Sequence, residues 1–336
     1  METRVLVTGA TGQVASYLME LLLKKGEKVY GLKRRSATEN LENIRHLLGD
    51  IELVEGDLTD QGSLDRIVRA IKPHVVYNLG SQSHVHVSFD QPLLTLDITG
   101  LGPARVLEAI RNSSFNSRYV NASSSEIFGK VRETPQTEAT PFHPRFPYGC
   151  AKALSHMLTI NYRESYNIFA ANAIMYNTES ERRGLQFVTR KICQGVAEIA
   201  AGERKFIELG NLDASRDWSY AGDIVEGLYR IAHHSEPDDF VLCSGITHTI
   251  RDFLAEAFGH INIKDWTPYV KVNPGFIRPA EVDILLGDNT KARTILGWEP
   301  RVGFEELVRI MMVSELQKQG IPENHILDNN NIKTEQ

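Results

Sequence analysis

Cysteine is scarce in this chain, with three residues (Cys150, Cys193 and Cys243) among 336. An odd count without a C-x-x-C pair fits a reducing compartment better than a disulfide framework or a zinc site. Long apolar runs are missing as well. No stretch approaches the roughly 18 residues of a membrane-spanning helix. Met1–Leu6 runs directly into a strand pattern with no leader ahead of it, so a cytoplasmic protein is expected. Nor is there an excess of positive charge. A net charge of −6 and a pI near 6.0 argue against a nucleic-acid groove. Internal repeats and low-complexity blocks are also absent. What remains, 42% hydrophobic and 24% charged, is the composition of an ordinary globular protein. Its length suits about two domains or lobes.

The first 175 residues alternate short apolar runs with longer amphipathic ones. Strands are expected at Arg4–Val7, Lys28–Leu32, Ile51–Val54, Val75–Leu79, Tyr119–Asn121 and Phe169–Met175. Helices are expected at Gln13–Lys25, Ser63–Ile71, Leu101–Ile110 and Tyr148–Tyr166. Such alternation predicts an α/β fold of the Rossmann type, a doubly wound parallel sheet whose ligands bind at the carboxyl ends of its strands. Beyond Tyr176, loops rich in Arg, Asn and Asp interrupt helices at Phe187–Ala201 and Gly222–His233. A further strand, Phe240–Cys243, returns to the sheet. The expected division is residues 1–175 with about 212–243 for a cofactor, and 176–211 with 244–319 as a smaller, interleaved substrate lobe. Residues 320–336 are expected to form a flexible tail.

Thr8-Gly-Ala-Thr-Gly-Gln-Val-Ala15 follows the first strand and opens the first helix. Glycines let the backbone approach a pyrophosphate, and the helix N-terminus offers unpaired N–H groups and a positive dipole end. Gly9, Thr11, Gly12 and Gln13 are therefore cofactor candidates. The second strand ends Lys33-Arg34-Arg35-Ser36, with no acid to take a ribose 2′-hydroxyl. Adjacent guanidinium groups suit a 2′-phosphate, which points to NADP, the bland alternative being a solvated basic turn. Asp57 and Leu58, after the third strand, are placed to contact the adenine, with Asp57 otherwise a helix cap.

Tyr148-Gly-Cys-Ala-Lys152 sets a phenol and an ammonium on one helical face. The ammonium is expected to lower the phenol pKa and make Tyr148 a base towards an alcohol. Ser123-Ser-Ser-Glu126 follows the fifth strand, at the edge where such sheets keep their chemistry. A polar turn and an exposed carboxylate at a helix start are the bland readings of that stretch.

Together the turn, the basic segment, S-S-E and Y-x-x-x-K resemble the extended short-chain dehydrogenase/reductase superfamily. Longer strings resemble the GDP-mannose 4,6-dehydratase family. They include Tyr77-Asn-Leu-Gly-Ser-Gln-Ser-His-Val85, Ser125-Glu-Ile-Phe-Gly-Lys-Val131, Thr159-Ile-Asn-Tyr-Arg-Glu164 and Glu179-Ser-Glu-Arg-Arg-Gly184. Phe187-Val-Thr-Arg-Lys191, Leu209-Gly-Asn-Leu-Asp-Ala-Ser-Arg-Asp-Trp218 and Arg278-Pro-Ala-Glu-Val-Asp283 extend the resemblance over about residues 3–315. It implies that Ser124 bonds the sugar's carbon-4 oxygen, that Tyr148, aided by Lys152, takes its proton, and that Glu126 is the base at carbon 5. It further implies that Leu79, Ser83 and Arg183 join the residues already named, with Tyr148 and Lys152, around NADP. Ser83, Ser124, Asn177, Lys191, Arg216, Arg278 and Glu281 would hold the GDP-sugar, in a homodimer or homotetramer.

The chain departs from the family pattern in places. Ser124 stands for the usual threonine, Val14-Ala15 for Asp-Gly, Leu94 for a tyrosine and Thr178 for a histidine. Phe146 replaces a serine at the expected rim of the site, and Glu181 replaces a proline. GDP-mannose and another GDP-sugar, such as a GDP-heptose, therefore both stay open. So does the reduction of a GDP-4-keto-6-deoxy sugar, and so does a non-catalytic NADP-binding role on the same fold. His84 and His86 read as structural histidines on a strand or loop edge, with no further metal ligands to join them. His233-His234 suits a helix end, and Met311-Met312 and the aromatics of Tyr162–Tyr166 suit the core.

Overall fold

A computed structural model describes residues 2–113, 115–276, 282 and 284–321. Its first six strands are β1 (Arg4–Thr8), β2 (Lys28–Lys33), β3 (Glu52–Glu55), β4 (Val75–Asn78), β5 (Arg118–Ser124) and β6 (Ala170–Met175). Shorter ones follow: β7 (Asn177–Glu179), β8 (Ile207–Leu209), β9 (Ser215–Tyr220), β10 (Asp239–Leu242), β11 (Thr247–Thr249), β12 (Val270–Val272) and β13 (Ile284–Leu285). The helices of the first half are α1 (Gln13–Lys24), α2 (Gln61–Ile71), α3 (Val85–Asp90), α4 (Pro92–Thr95), α5 (Gly102–Arg111) and α6 (Pro147–Tyr166). The second half carries α7 (Val188–Ala200), α8 (Ala221–His233), α9 (Ile250–Gly259), α10 (Thr290–Leu296) and α11 (Phe304–Lys318).

Seven strands form one parallel sheet in the order β10-β6-β5-β4-β1-β2-β3. Chain order runs away from β1 on both sides, so the crossovers reverse direction between β1 and β4. A crevice opens there at the carboxyl ends, where doubly wound sheets bind their ligands. The strands are apolar on both faces because helices cover both. One face buries Leu18, Met19 and Leu22 of α1 and Ile224, Leu228 and Ile231 of α8 against Val5, Val7 and Val120. The other buries Leu64, Ile67 and Val68 of α2 and Val106, Leu107 and Ile110 of α5 against Leu6, Val76 and Tyr119. In each helix the buried positions recur every three or four residues, the spacing that makes one apolar stripe.

A separate core gathers Ile192 and Val196 of α7, Phe253 and Phe258 of α9, and Met311 and Met312 of α11 around Trp218. It supports a four-stranded sheet, β11-β9-β13 with β7 also paired to β9, and a β8–β12 pair.

Three local expectations are corrected. His84 stands at the loop edge as the N-cap of α3, but His86 lies within that helix and not on a strand or loop edge; the His84 ring nitrogen accepts from the Val87 amide. Tyr166 is 49% exposed rather than core, because it occupies the last turn of α6 on its outer side. The cap of α2 is Asp60, whose carboxylate accepts from the Gly62 amide. Asp57 instead closes a turn onto the amide and hydroxyl of Thr59. No helix among the described residues is long and apolar enough to cross a membrane.

Candidate active site

The turn between β1 and α1 is shaped by two glycines. Gly9 has φ +67°, a left-handed conformation, and a Cβ there would lie 2.8 Å from the Gly80 Cα. The turns after β1 and β4 thus approach backbone to backbone, and Thr8 Oγ1 accepts from the Gly80 amide at 2.9 Å. The helix that follows has no side-chain cap at Gly12. Its first amides remain available to an anion in the crevice.

That crevice is a cavity of about 360 Å³. Gly9, Thr11, Gly12 and Gln13 form one end, with Leu79 and Ser83 from the segment after β4. Ser124 and Glu126 enter from the end of β5, Tyr148 and Lys152 from α6, and Asn177 and Arg183 from the far wall. Ser124 and Glu126 are each 8% exposed. Glu126 is therefore not the solvated carboxylate of an ordinary helix start. It is the middle residue of a 3-10 turn, Ser125–Ile127, capped by Ser124, whose hydroxyl accepts from the Glu126 amide at 3.3 Å.

Tyr148 and Lys152 share one face of α6 as the spacing predicts, but their electrostatics differ from expectation. Burial pushes the Tyr148 phenol up to about 12, and the Glu126 charge adds to this, while a hydrogen bond with Ser124 and the Arg183 charge oppose it. Lys152 does not offset the rise. Its ammonium donates to the Ala122 carbonyl at 2.6 Å and lies 5.9 Å from the Tyr148 ring centre. Burial pushes Lys152 itself down to about 8. Desolvation dominates both shifts, with Lys152 buried and Tyr148 half-buried at the cavity wall.

Gln13 lines the cavity and also bridges it. Its amide nitrogen donates to the Thr178 carbonyl at 2.9 Å, and its oxygen accepts from Ser180 at 3.0 Å. Arg183 lies 3.5 Å from the centre of the Phe187 ring and pairs with the buried Glu179 at 3.2 Å. Phe146 is 2% exposed and packs beside Phe89, so it belongs to the core beneath the site and not to its rim. Glu181 accepts from the Tyr17 hydroxyl at 2.6 Å on the outer side of α1.

Several other candidates lie outside the cavity walls. Arg34, Arg35 and Ser36 are exposed just past β2. The register Thr8↔Leu32 sets them beside the glycine turn, against which Asn43 Nδ2 also bonds the Thr11 carbonyl. Asp57 is half-buried in its Thr59 turn, and Leu58 is packed under α5 at Gly102. Lys191 on α7 is half-buried, with its ammonium 4.0 Å from the Phe276 ring centre and pushed down by burial. Arg216 is buried on β9 and donates to the Ser215 carbonyl. Arg278 and Glu281 lie outside the described residues. Sequence reading passed over Gly80 and Phe187 in the walls. Gly80 carried a usable signal, a glycine directly after the fourth strand, whereas Phe187 reads as an ordinary helix-start aromatic.

A family described as GDP-mannose 4,6 dehydratase matches residues 6–311. The chain belongs to that family. It is 46% identical to GDP-mannose 4,6 dehydratase 2 of Arabidopsis thaliana, covering 93% of this chain and 86% of the relative. The human GDP-mannose 4,6 dehydratase is 44% identical, covering 93% and 91%. A Vibrio cholerae GDP-mannose 4,6-dehydratase is 41% identical, covering 94% and 95%. Among solved structures, a Thermus thermophilus UDP-glucose 4-epimerase in complex with NAD aligns with a TM-score of 0.81 at 26% identity, over 97% and 100% of the two chains. A dTDP-glucose 4,6-dehydratase of Streptomyces venezuelae, with NAD bound, shares the fold at a TM-score of 0.85 and 20% identity, over 95% and 98%.

Proposed function

We propose that this chain converts GDP-mannose to GDP-4-keto-6-deoxymannose and water, with NADP as a resident cofactor. The observation that carries the reading is the buried carboxylate of Glu126 in the same cavity as Ser124, Tyr148 and Lys152. Simple oxidation of an alcohol needs the Tyr–Lys pair and a hydroxyl. Elimination of water from a neighbouring carbon needs a base as well, and Glu126 is that base.

The cavity suits a nicotinamide dinucleotide. Glycines at 9 and 80 leave room where a Cβ would clash, and the uncapped start of α1 faces a pyrophosphate. Residues 1–175 with 212–243 hold the cofactor, and 176–211 with 244–319 complete the sugar nucleotide site. Leu79, Ser83 and Arg183 flank the cofactor, with Asp57 and Leu58 towards its adenine. Arg34, Arg35 and Ser36 follow a strand with no terminal acid, the arrangement that favours a 2′-phosphate over a free ribose hydroxyl. Bound NADP supplies a positively charged ring that lowers the Tyr148 phenol and carries hydride from carbon 4 to carbon 6.

Ser124 hydrogen-bonds the carbon-4 oxygen and Tyr148 takes its proton, with the Lys152 ammonium beside the phenol. The resulting ketone acidifies carbon 5, so Glu126 removes that proton and passes it to the departing carbon-6 hydroxyl. The proton held by Tyr148 balances the one that carbon 5 regains. Asn177, Lys191, Arg216, Arg278 and Glu281 hold the GDP-sugar, with arginines matching the diphosphate in bidentate fashion. The working form is a homodimer or homotetramer in the cytoplasm.

The test uses GDP-mannose deuterated at carbon 4 with catalytic NADP⁺, read by mass spectrometry and NMR. Loss of one water with deuterium at carbon 6 is the expected result. An unchanged substrate overturns the choice of GDP-mannose and turns attention to a GDP-heptose. Consumption of one NADPH per GDP-4-keto sugar, with no dehydration, makes the protein a reductase instead. A weaker affinity for NADP than for NAD overturns the role given to Arg34 and Arg35.

A further inference from the structure

The stripe of α6 that carries Tyr148 and Lys152 has a third member. Residues 148, 152 and 156 recur every fourth position, so His156 lies on the same face. It is 2% exposed and does not line the cavity. Its Nδ1 is 2.9 Å from the hydroxyl of Ser123, and its Nε2 faces Asp239 Oδ2 at 3.6 Å. The Phe142 ring stands edge-on with its centre 5.0 Å away, so the imidazole is confined at both nitrogens and on one side.

The two ends of this chain lie at very different places. Asp239 opens β10 and accepts two bonds from Arg163, at 3.0 and 3.2 Å, and two from Asn172, at 3.2 and 2.9 Å. It is a rigid acceptor with its charge compensated. Ser123 is the residue between Ala122, whose carbonyl holds the Lys152 ammonium, and Ser124, whose hydroxyl bonds Tyr148. With the Asp239 carboxylate ionised, Nε2 carries the ring proton and Nδ1 accepts from Ser123. The residue types are those of a hydrolase triad, but the ring is reversed and Ser123 is 1% exposed. Its hydroxyl is a tether, not a nucleophile.

We propose that His156 is a positioning residue for the reaction: anchored beside Asp239, it holds Ser123 so that the flanking Ala122 carbonyl and Ser124 hydroxyl present Lys152 and the carbon-4 oxygen site in register. The proposal rests on the dehydration chemistry proposed above. Helix and strand are joined here by a row of side-chain links: Ser155 to Asn121, Lys152 to Ala122, His156 to Ser123 and Tyr148 to Ser124. The His156 link is the one that continues through the ring to Asp239, so its loss unties Ser123 from that anchor.

Two substitutions separate the links. His156→Asn keeps a polar atom near Nδ1 for Ser123 and gives up Asp239, whereas His156→Gln reaches towards Asp239 and leaves Ser123 without its partner. With GDP-mannose carrying hydrogen or deuterium at carbon 4, His156→Gln should lower kcat about 10- to 100-fold with KM little changed. Its isotope effect on kcat should rise, because hydride removal becomes limiting. His156→Asn, which keeps the Ser123 bond without the Asp239 anchor, should lose rate but less than His156→Gln, Ser123→Ala should match His156→Gln, and the double variant should be no worse than the poorer single one. A His156→Gln enzyme at the wild-type rate overturns the proposal. So does a loss of rate that follows only the folded fraction and leaves the isotope effect unchanged. A wild-type protein inert towards GDP-mannose refutes the function and not the tether. The tether is then judged without substrate, by the ¹⁵N resonances of His156: Ser123→Ala must move Nδ1 more than Nε2, and an unmoved Nδ1 overturns it.

Discussion

Replacing Gly9 by alanine places two separable penalties on the turn that shapes the cofactor end of the cavity. The residue has φ +67°, where a side chain costs about 1 kcal/mol relative to glycine. The added Cβ would also lie 2.8 Å from the Gly80 Cα and 2.9 Å from its nitrogen, backbone atoms that cannot swing aside. Overpacking of this kind costs about 1–3 kcal/mol, so the expected total is about 2–4 kcal/mol. Gly26 supplies the control, with φ +76° and no atom within 4 Å of its would-be Cβ. Gly26→Ala should therefore lose only the conformational share, about 1 kcal/mol. Urea unfolding followed by tryptophan fluorescence gives both values from the midpoints, provided the slopes agree. Relief of the clash also moves the start of α1, so Gly9→Ala should bind NADP at least about tenfold more weakly, while Gly26→Ala binds as wild type. Equal stability losses in the two variants, or wild-type NADP affinity in Gly9→Ala, contradict a backbone clash at this turn.

Other substitutions test the electrostatics. Burial holds Lys152 at about 8 against an ordinary 10.5. Between those values the unfolded chain binds a proton that the folded one has released, so wild-type stability should climb from pH 8 to 10.5. Lys152→Met should remove that slope and stabilise the protein at pH 7 by about 2 kcal/mol, after allowance for the lost Ala122 bond, while abolishing turnover. A wild-type-to-variant difference that is flat with pH contradicts this. For Asp239, burial raises the carboxyl, but His156 and Arg163 outweigh it and hold the group well below the usual carboxylate range. Its contribution is present above the unfolded pKa near ~4 and lost as pH falls through the folded value, so Asp239→Asn should cost about 3 kcal/mol at pH 7 and less in acid. Glu126→Gln should lower turnover of GDP-mannose about 10²- to 10⁴-fold with NADP affinity unchanged, and should let reduced cofactor accumulate after mixing; a normal rate would remove Glu126 from the role of base.

The local signals in this chain determined a great deal. The first six strands of the large sheet, α1, α2, α5 and α6 were placed to within a few residues, because the strands are short apolar runs and each helix buries one face whose spacing is written in its own sequence. The glycine turn, the S-S-E stretch and the Y-x-x-x-K pair were legible for the same reason, each needing only neighbours within a turn or two. Short elements were not. Strands β7, β11 and β13 run for two or three residues, too few for any period to show, and α3 and α4 are separated by Gln91 ahead of a proline. How distant groups meet depends on the packed fold and not on any local pattern. The Gln13 amide ends on Thr178 and Ser180, more than 160 positions away, and Ser123 joins Asp239 through a histidine on another element. Likewise the Tyr148–Lys152 spacing announced a pair but not its charges. Those depend on how much water the surrounding β5, α6 and β7 exclude, and exclusion of solvent is a property of the packed whole.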